Sequence, residues 1–565
     1  MEKNIFVAQL NKMRKSWPSI VSNLKRNWYF PISAMAFFCL NVSLTAGYFL
    51  GLPIALVFSL IIAARVPSIW EAAKNNRMRY QIVSALTAAG ICWGEQASLY
   101  YRFTVSSKAQ VLEATLSIPI DFAECVRVIG AIGAIAALFF VYVCVLLFLK
   151  KFIGIIAETD VFKGAKFSEM IVYGLLILVT FTFIAIAFAK TKVFYGTGWA
   201  GYSDIIYTSD SSPLVKGNVY MVLTHSENDL RQPLFALFAA PFIGIPYLIG
   251  KLFGASETVQ AVLMNWAQIL MLFAANYMLA RIMGLAPMKR ICFMLLTCCT
   301  YTYLLFVLMM EQYIVAYFWL VLCLYLFCEK RRPDHLVLWG AGGTMLTSMV
   351  VLPFMPDKSP LKNFREWFAD TVKYGLEFVV VMLVFCRFDV IFYFVDQITS
   401  YIKFSGKSIS FSDRIFQYTT FIRNYFLAPV AGVDFSDEIR VSWQLNTISE
   451  ISLAGVIILL LSIVSVVLNR DKRSSLLAAG WAFFSFVMLL CVGWGTAENG
   501  LILYALYFGW AFLVLLFQLI EKIEQKLNTE FLTPAITVGC VLFLVAVNIP
   551  AILELVDFGV TYYPV

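Results

Sequence analysis

Histidine is almost missing from this chain: 565 residues hold two, His225 and His335. That scarcity excludes a metal centre built on several imidazoles. Charge is scarce as well, at 14% of residues against 61% hydrophobic, with a mean hydropathy of +0.80. A soluble globular domain does not have that balance; a helical protein crossing a membrane many times does. The 12 cysteines form no CxxC pair and mostly fall inside apolar runs, so they read as small buried hydrophobes and not as a disulfide framework or zinc site. No P-loop, GxSxG, HExxH or GxGxxG in a strand-to-helix setting is present. The Gly-Ala-Gly-Gly run at 340–343 lies in an apolar stretch and reads as helix packing. No small-residue cleavage site follows the apolar run that starts at Phe30, so the N-terminus is expected to be an uncleaved anchor.

The apolar runs that remain centre on 31–50, 52–65, 81–97, 128–149, 169–189, 261–279, 291–309, 312–328, 336–354, 375–396, 451–468, 476–494, 500–520 and 534–555. They predict an all-α polytopic membrane protein with about 12–14 transmembrane helices. Gly51 and Pro53 break residues 31–65 as a tight hairpin would; one crossing within 336–396 reads as re-entrant. No internal repeat is visible. The chain divides into an N-terminal basic segment with additional helices (1–168), a core (169–330) and a C-terminal bundle (331–565). The formal net charge of +8 reflects basic loops and points to no nucleic-acid partner. The clusters Lys150/Lys151/Lys163/Lys166, Arg281/Lys289/Arg290, Lys330/Arg331/Arg332 and Arg470/Lys472/Arg473 set the cytoplasmic face. Segment 234–254 carries Pro241, Gly244, Pro246, Gly250 and Gly254. Were it to cross, three basic clusters would fall outside, so it is expected to lie at the interface or re-enter.

With that topology the loop 190–233 is extracytoplasmic. It concentrates Asp204, Asp210, His225, Glu227, Asp229 and Arg231 among Trp199, Tyr202, Tyr207 and Tyr220. Ionisable groups at membrane spans mark functional sites. Glu311 and Gln312 are placed at an outer turn, and Trp494-Gly-Thr-Ala-Glu498-Asn499 at the outer end of another span. Three distant sets of acids on one face predict one composite site. The polar segment 397–450 adds Arg414 and Arg423 as further phosphate-binding candidates. Carboxylates beside arginines suit transfer of a sugar from a phosphate leaving group: one carboxylate takes the acceptor's proton while Arg neutralises the departing phosphate. Each assignment has a plain structural rival. Asp210 could cap the turn at Ser211–Pro213, Arg231 could pair with Glu227 or Asp229, His225 could be a surface histidine, Glu311 a turn cap and Asn499–Gly500 a simple turn.

Asp204-Ile-Ile-Tyr-Thr-Ser-Asp210-Ser-Ser-Pro213, then His225-Ser-Glu-Asn-Asp229-Leu-Arg231-Gln-Pro233-Leu234-Phe235, resembles the first extracytoplasmic loop of type C (GT-C) glycosyltransferases. Glu311 to Phe327 resembles a later span that begins with an acid in that superfamily. Ser211-Ser212-Pro213 stands where relatives have Thr-Pro, and Gln232 where they have His. The resemblance implies a GT-C-like fold with an extracytoplasmic loop and interfacial helices. It implies Asp210 as catalytic base, with Asp204 second. Together with Arg414 and Arg423 from the polar segment, the expected substrate contacts are His225, Glu227, Asp229, Arg231, Glu311, Gln312, Glu498 and Asn499. The implied donor is a polyprenyl-phosphate sugar. The acceptor is an envelope glycan, lipid or protein, and the setting a bacterial plasma membrane with its lipid. No metal site is assigned and no cofactor is certain; the carboxylate-rich loop leaves a divalent metal open. Competing expectations are a transporter or flippase of lipid-linked glycan, an envelope polysaccharide polymerase or ligase, and a non-catalytic scaffold.

Overall fold

The computed structural model describes residues 18, 22, 28–44, 73–74, 76–104, 122–195, 205–207, 218–220, 231–329, 334–354, 356, 363–385, 399, 405, 409–435, 441–496 and 500–565. They form a polytopic helical protein. Among the described residues, seven helices are long and apolar enough to cross a membrane, or eight if one bent pair counts as a span, and three shorter apolar helices accompany them. The expected span at 52–65 lies outside the described residues. The chain separates into two compact units: residues 1–155, 218–248 and 376–393, and residues 156–217, 249–375 and 394–565.

The first unit contains α1 (Tyr29–Leu44), α2 (Met78–Thr104) and most of α3 (Phe122–Thr159). Ser33 Oγ accepts a hydrogen bond from the Phe140 amide at 2.9 Å, joining α1 to α3. Tyr220 lies in a cradle of glycines: a Cβ on Gly90 or Gly244 would come within 2.4 and 2.6 Å of its ring, and one on Gly94 within 2.5 Å of its carbonyl oxygen. Segment 234–254 forms one helix, α5 (Phe235–Leu252), of 18 residues. A π turn at Ala240–Gly244 absorbs Pro241, so the prolines do not divide the segment into two helices. Its length and composition meet the requirement for crossing.

The second unit carries α4 (Phe167–Lys190), α6 (Glu257–Ile282), α7 (Pro287–Cys299), α8 (Tyr301–Leu308), α9 (Tyr313–Cys328) and α10 (His335–Thr344). After α11 (Phe364–Phe385), which begins in it, come the amphipathic α12 (Phe411–Phe426), the hairpin β1–β2 (Ala431–Asp434, Ser442–Leu445), α13 (Leu453–Leu468), α14 (Arg473–Cys491), α15 (Ala505–Leu527) and α16 (Leu532–Tyr562). The expected span 291–309 is broken: α7 and α8 meet at 66°. Thr300 has extended backbone angles, and its hydroxyl accepts from Tyr303 N at 3.3 Å, so one residue ends α7 and caps α8. The expected span 336–354 is corrected too. It is α10, about 15 Å long, followed by a 3-10 stretch over Leu346–Phe354, which is too short in regular helix to cross. Gly340 packs on the Trp319 ring, where a Cβ would approach to 2.5 Å, so the glycine run is a helix contact.

Side-chain bonds fix which helix ends lie together in this unit. At one end Arg281 donates to Lys163 O at 3.0 Å, and Arg290 makes a bidentate pair with Glu169 at 2.7 Å for each bond. Lys289 reaches Glu524 at 2.9 Å and Lys472 reaches Glu521 at 3.0 Å. Three of the four basic clusters are thereby tied together at this end, and Lys330–Arg332 lie outside the described residues. At the opposite end Tyr195 Oη and Thr258 Oγ1 share a hydrogen bond of 2.7 Å, and Lys192 N donates to Tyr563 O at 2.9 Å. The chain therefore leaves α4 and enters α6 at one and the same end.

Candidate functional site

The hairpin of α8 and α9 carries Glu311 at its apex, and α6 sets its depth. Asn265 and Gln268 lie one turn apart on α6, on the face that also carries Asn276. Asn265 Nδ2 donates to Val307 O at 2.8 Å, Gln268 Nε2 to Glu311 O at 2.9 Å, and Asn276 Oδ1 accepts from Tyr317 at 2.7 Å. Gln268 is eleven residues into α6, so the apex lies about 16 Å below that helix's first residue. Glu311 is thus not at an outer turn as expected. It is 3% exposed inside the bundle, with Oε2 accepting from Gln312 N at 3.3 Å. Non-helical backbone at such depth is tolerated where protein groups satisfy it, and the two amides cover two of its carbonyls, Val307 O and Glu311 O.

Next to the apex, the Tyr313 ring meets Tyr504 edge-on at 5.8 Å. Tyr504 Oη accepts from Trp494 Nε1 at 2.9 Å, and its ring occupies the space a Cβ would need at Gly495. Gly493 and Gly495 have φ of +75° and +77°, a backbone region open to glycine at little cost. Arg414 fills the space beside Gly493 and donates to Cys491 O at 3.3 Å; Gln417 donates to Thr496 O at 3.5 Å. The structure therefore seats Arg414 against the loop 491–496 that leads to Glu498 and Asn499, and Tyr313, which follows Glu311 and Gln312, against Tyr504 beside that loop. Glu498 and Asn499 themselves lie outside the described residues.

Arg423 is nine residues beyond Arg414 and so faces the other way on α12. It is half-buried, and among the described residues its bond is to Asn424 Oδ1 at 3.4 Å, with no carboxylate beside it. Burial alone pulls its guanidinium below the usual arginine range. Arg231 belongs to the other compact unit.

Of loop 190–233, residues 205–207 are fixed in the second unit. Ile205 O accepts from Trp443 N at 2.7 Å, and Tyr207 N donates to Trp443 O at 3.0 Å. Trp443 Nε1 donates to Tyr207 Oη at 3.0 Å, which in turn shares 2.7 Å with Tyr301 Oη at the start of α8. Burial pushes the Tyr207 phenol up to about 12. One short helix, about 10 Å from Tyr301 to Leu308, thus carries the loop at its start and leads to Glu311 at its exit. Asp204 adjoins the pinned Ile205, but Asp204, Asp210, His225, Glu227 and Asp229 themselves lie outside the described residues.

Sequence reasoning passed over Asn265, Gln268 and Asn548. Asn548 of α16 holds Cys299 O, Phe426 O and Ala428 N, each at 2.8 Å, covering the groups freed at the bend and at the end of α12. Amides inside apolar spans were the available signal. The chain matches no protein-family model, no curated protein and no solved structure.

Proposed function

We propose that this protein is an integral membrane glycosyltransferase of GT-C type. It moves a sugar from a polyprenyl-phosphate donor to an envelope glycan, lipid or protein on the extracytoplasmic side of a bacterial plasma membrane. The observation that supports the reading is the packing of Arg414 against the loop before Glu498, with Tyr504 next to that loop meeting Tyr313 just after Glu311. Arg423, desolvated and without a carboxylate among the described residues, supports an anionic substrate, because such a cation gains most from a phosphate. In this reading Asp210 takes the acceptor's proton, with Asp204 as the second candidate. Arg414 neutralises the departing phosphate. Glu311, Gln312, Glu498 and Asn499 contact sugar. Positive residues on the retained side put the basic end in the cytoplasm.

A second reading, a transporter of lipid-linked glycan, is favoured by one observation: the bent α7–α8 pair leaves unwound backbone within the bundle, as discontinuous transporter helices do. The test supplies purified protein in nanodiscs with a panel of radiolabelled polyprenyl-phosphate sugars and envelope acceptor extract. Transfer by wild type, reduced about 10²–10⁴-fold in Asp210→Asn, is expected for a lone base. Equal transfer by both moves the base to Asp204 or Glu311. No transfer, with donor-independent uptake in proteoliposomes, establishes the second reading instead.

A further inference from the structure

The α8–α9 break leaves more acceptors than donors in a sealed place. Asn265 and Gln268 each spend their NH₂ group on a backbone carbonyl, so the other amide atom of each is necessarily oxygen. Asn265 Oδ1 and Gln268 Oε1 have no hydrogen-bond partner among the described residues, and both residues are 0% exposed. The backbone adds to this. Glu311 N turns back to Met309 O at 2.9 Å, and Gln312 N goes to the Glu311 side chain. The carbonyls of Leu308 and Met310, also 0% exposed, accept no hydrogen bond among the described residues. Among the described residues, four carbonyl-type oxygens at this break thus have no donor, against one free N–H, that of Met310. Buried acceptors in such number require a donor or a cation.

We propose that this break binds a monovalent cation of sodium size. Its ligands are Asn265 Oδ1, Gln268 Oε1 and the carbonyl oxygens of Leu308 and Met310, with the Glu311 carboxylate adjoining. Unwound helix carbonyls suit such ions, and neutral oxygens do not balance a divalent charge. A sugar is too large for a place sealed at 0% exposure. The ion joins α6 to the α8–α9 apex, so it stabilises the fold whenever it is bound. The proposal makes no use of the transfer reading and is tested without a sugar donor.

Purified protein is exchanged into N-methylglucamine chloride in detergent, then titrated with NaCl or KCl at constant ionic strength while thermal unfolding is followed by tryptophan fluorescence. A saturable rise of the midpoint, about 2–4 °C for one inorganic ion at a hundredfold its Kd, is expected. The rise is expected to vanish in Gln268→Leu. Should that variant not fold, Gln268→Glu decides, because it keeps the oxygen and adds charge: ion affinity about tenfold tighter supports the site, and unchanged affinity overturns it. A midpoint indifferent to the cation in wild type, as an ordered water in the break would give, overturns it too. So does an equal rise in Gln268→Leu.

Discussion

Replacing Arg290 with methionine tests the pair that locks the basic end. Arg290 is 5% exposed and Glu169 0%. Two bonds of 2.7 Å join them, and Arg290 Nη1 also donates to Leu285 O at 2.8 Å. In Arg290→Met the Glu169 carboxylate stays buried with only the Lys166 amide at 2.9 Å and the Tyr173 hydroxyl at 3.4 Å. Losing one partner of such a pair costs about 3–5 kcal/mol, because an uncompensated charge remains. Removing both charges is far cheaper, since a buried pair barely exceeds the cost of its own desolvation. The double variant Glu169→Gln/Arg290→Met should therefore lie within about 1–2 kcal/mol of wild type. The assay is unfolding in mixed micelles of rising SDS fraction, followed by fluorescence. A single variant within about 1 kcal/mol of wild type would refute the reasoning, as would a double variant no better than the single.

Asn548→Leu strips three bonds of 2.8 Å from buried backbone groups and should cost about 2–4 kcal/mol in the same titration. Gly493→Ala should cost about 2 kcal/mol or more, because φ is +75° and the new methyl would lie 2.8 Å from Ser405 O. Gly480→Ala, in α14 with nothing within 4 Å of its would-be Cβ, should instead stabilise by about 0.5–1 kcal/mol; the difference between the two glycines is the measurement. Tyr207 keeps its proton up to about pH 12, whereas an unfolded tyrosine loses it near pH 10. Its contribution is complete below about pH 10 and lost as pH rises to about 12. Stability measured across that window should fall less steeply in Tyr207→Phe than in wild type.

Hydropathy located these apolar helices well: 169–189 became Phe167–Lys190, 261–279 became Glu257–Ile282, and 451–468 became the shorter Leu453–Leu468. It could not show the bend at Thr300, because the groups freed there are held by Asn548, 248 positions away in sequence, and periodicity carries no trace of a distant amide. It placed Glu311 at a surface turn for the same reason, since the residues that set its depth, Asn265 and Gln268, are on another helix. The association of Arg414 with the Gly493–Thr496 loop was implicit only as two candidates on one face. The glycines at 493 and 495 were the local hint that backbone and side chains approach closely there.

The helices of the second unit differ in length. α13 has 16 residues and α16 has 31, about 24 and 46 Å. Both turn leucines, isoleucines and valines outward, among them Leu460, Ile463 and Val464 on α13 and Leu542 and Leu553 on α16. A hydrocarbon layer of about 30 Å overreaches the first and is overreached by the second. The bilayer must then dip beside α13, or the protein must tilt, and each ångström of mismatch costs a fraction of a kcal/mol. Such a dip would bring lipid headgroups down toward Gly455, which packs directly on Thr419 of the amphipathic α12. The protein would thus shape the solvent it lives in, making its function sensitive to acyl-chain length on the α13 flank first.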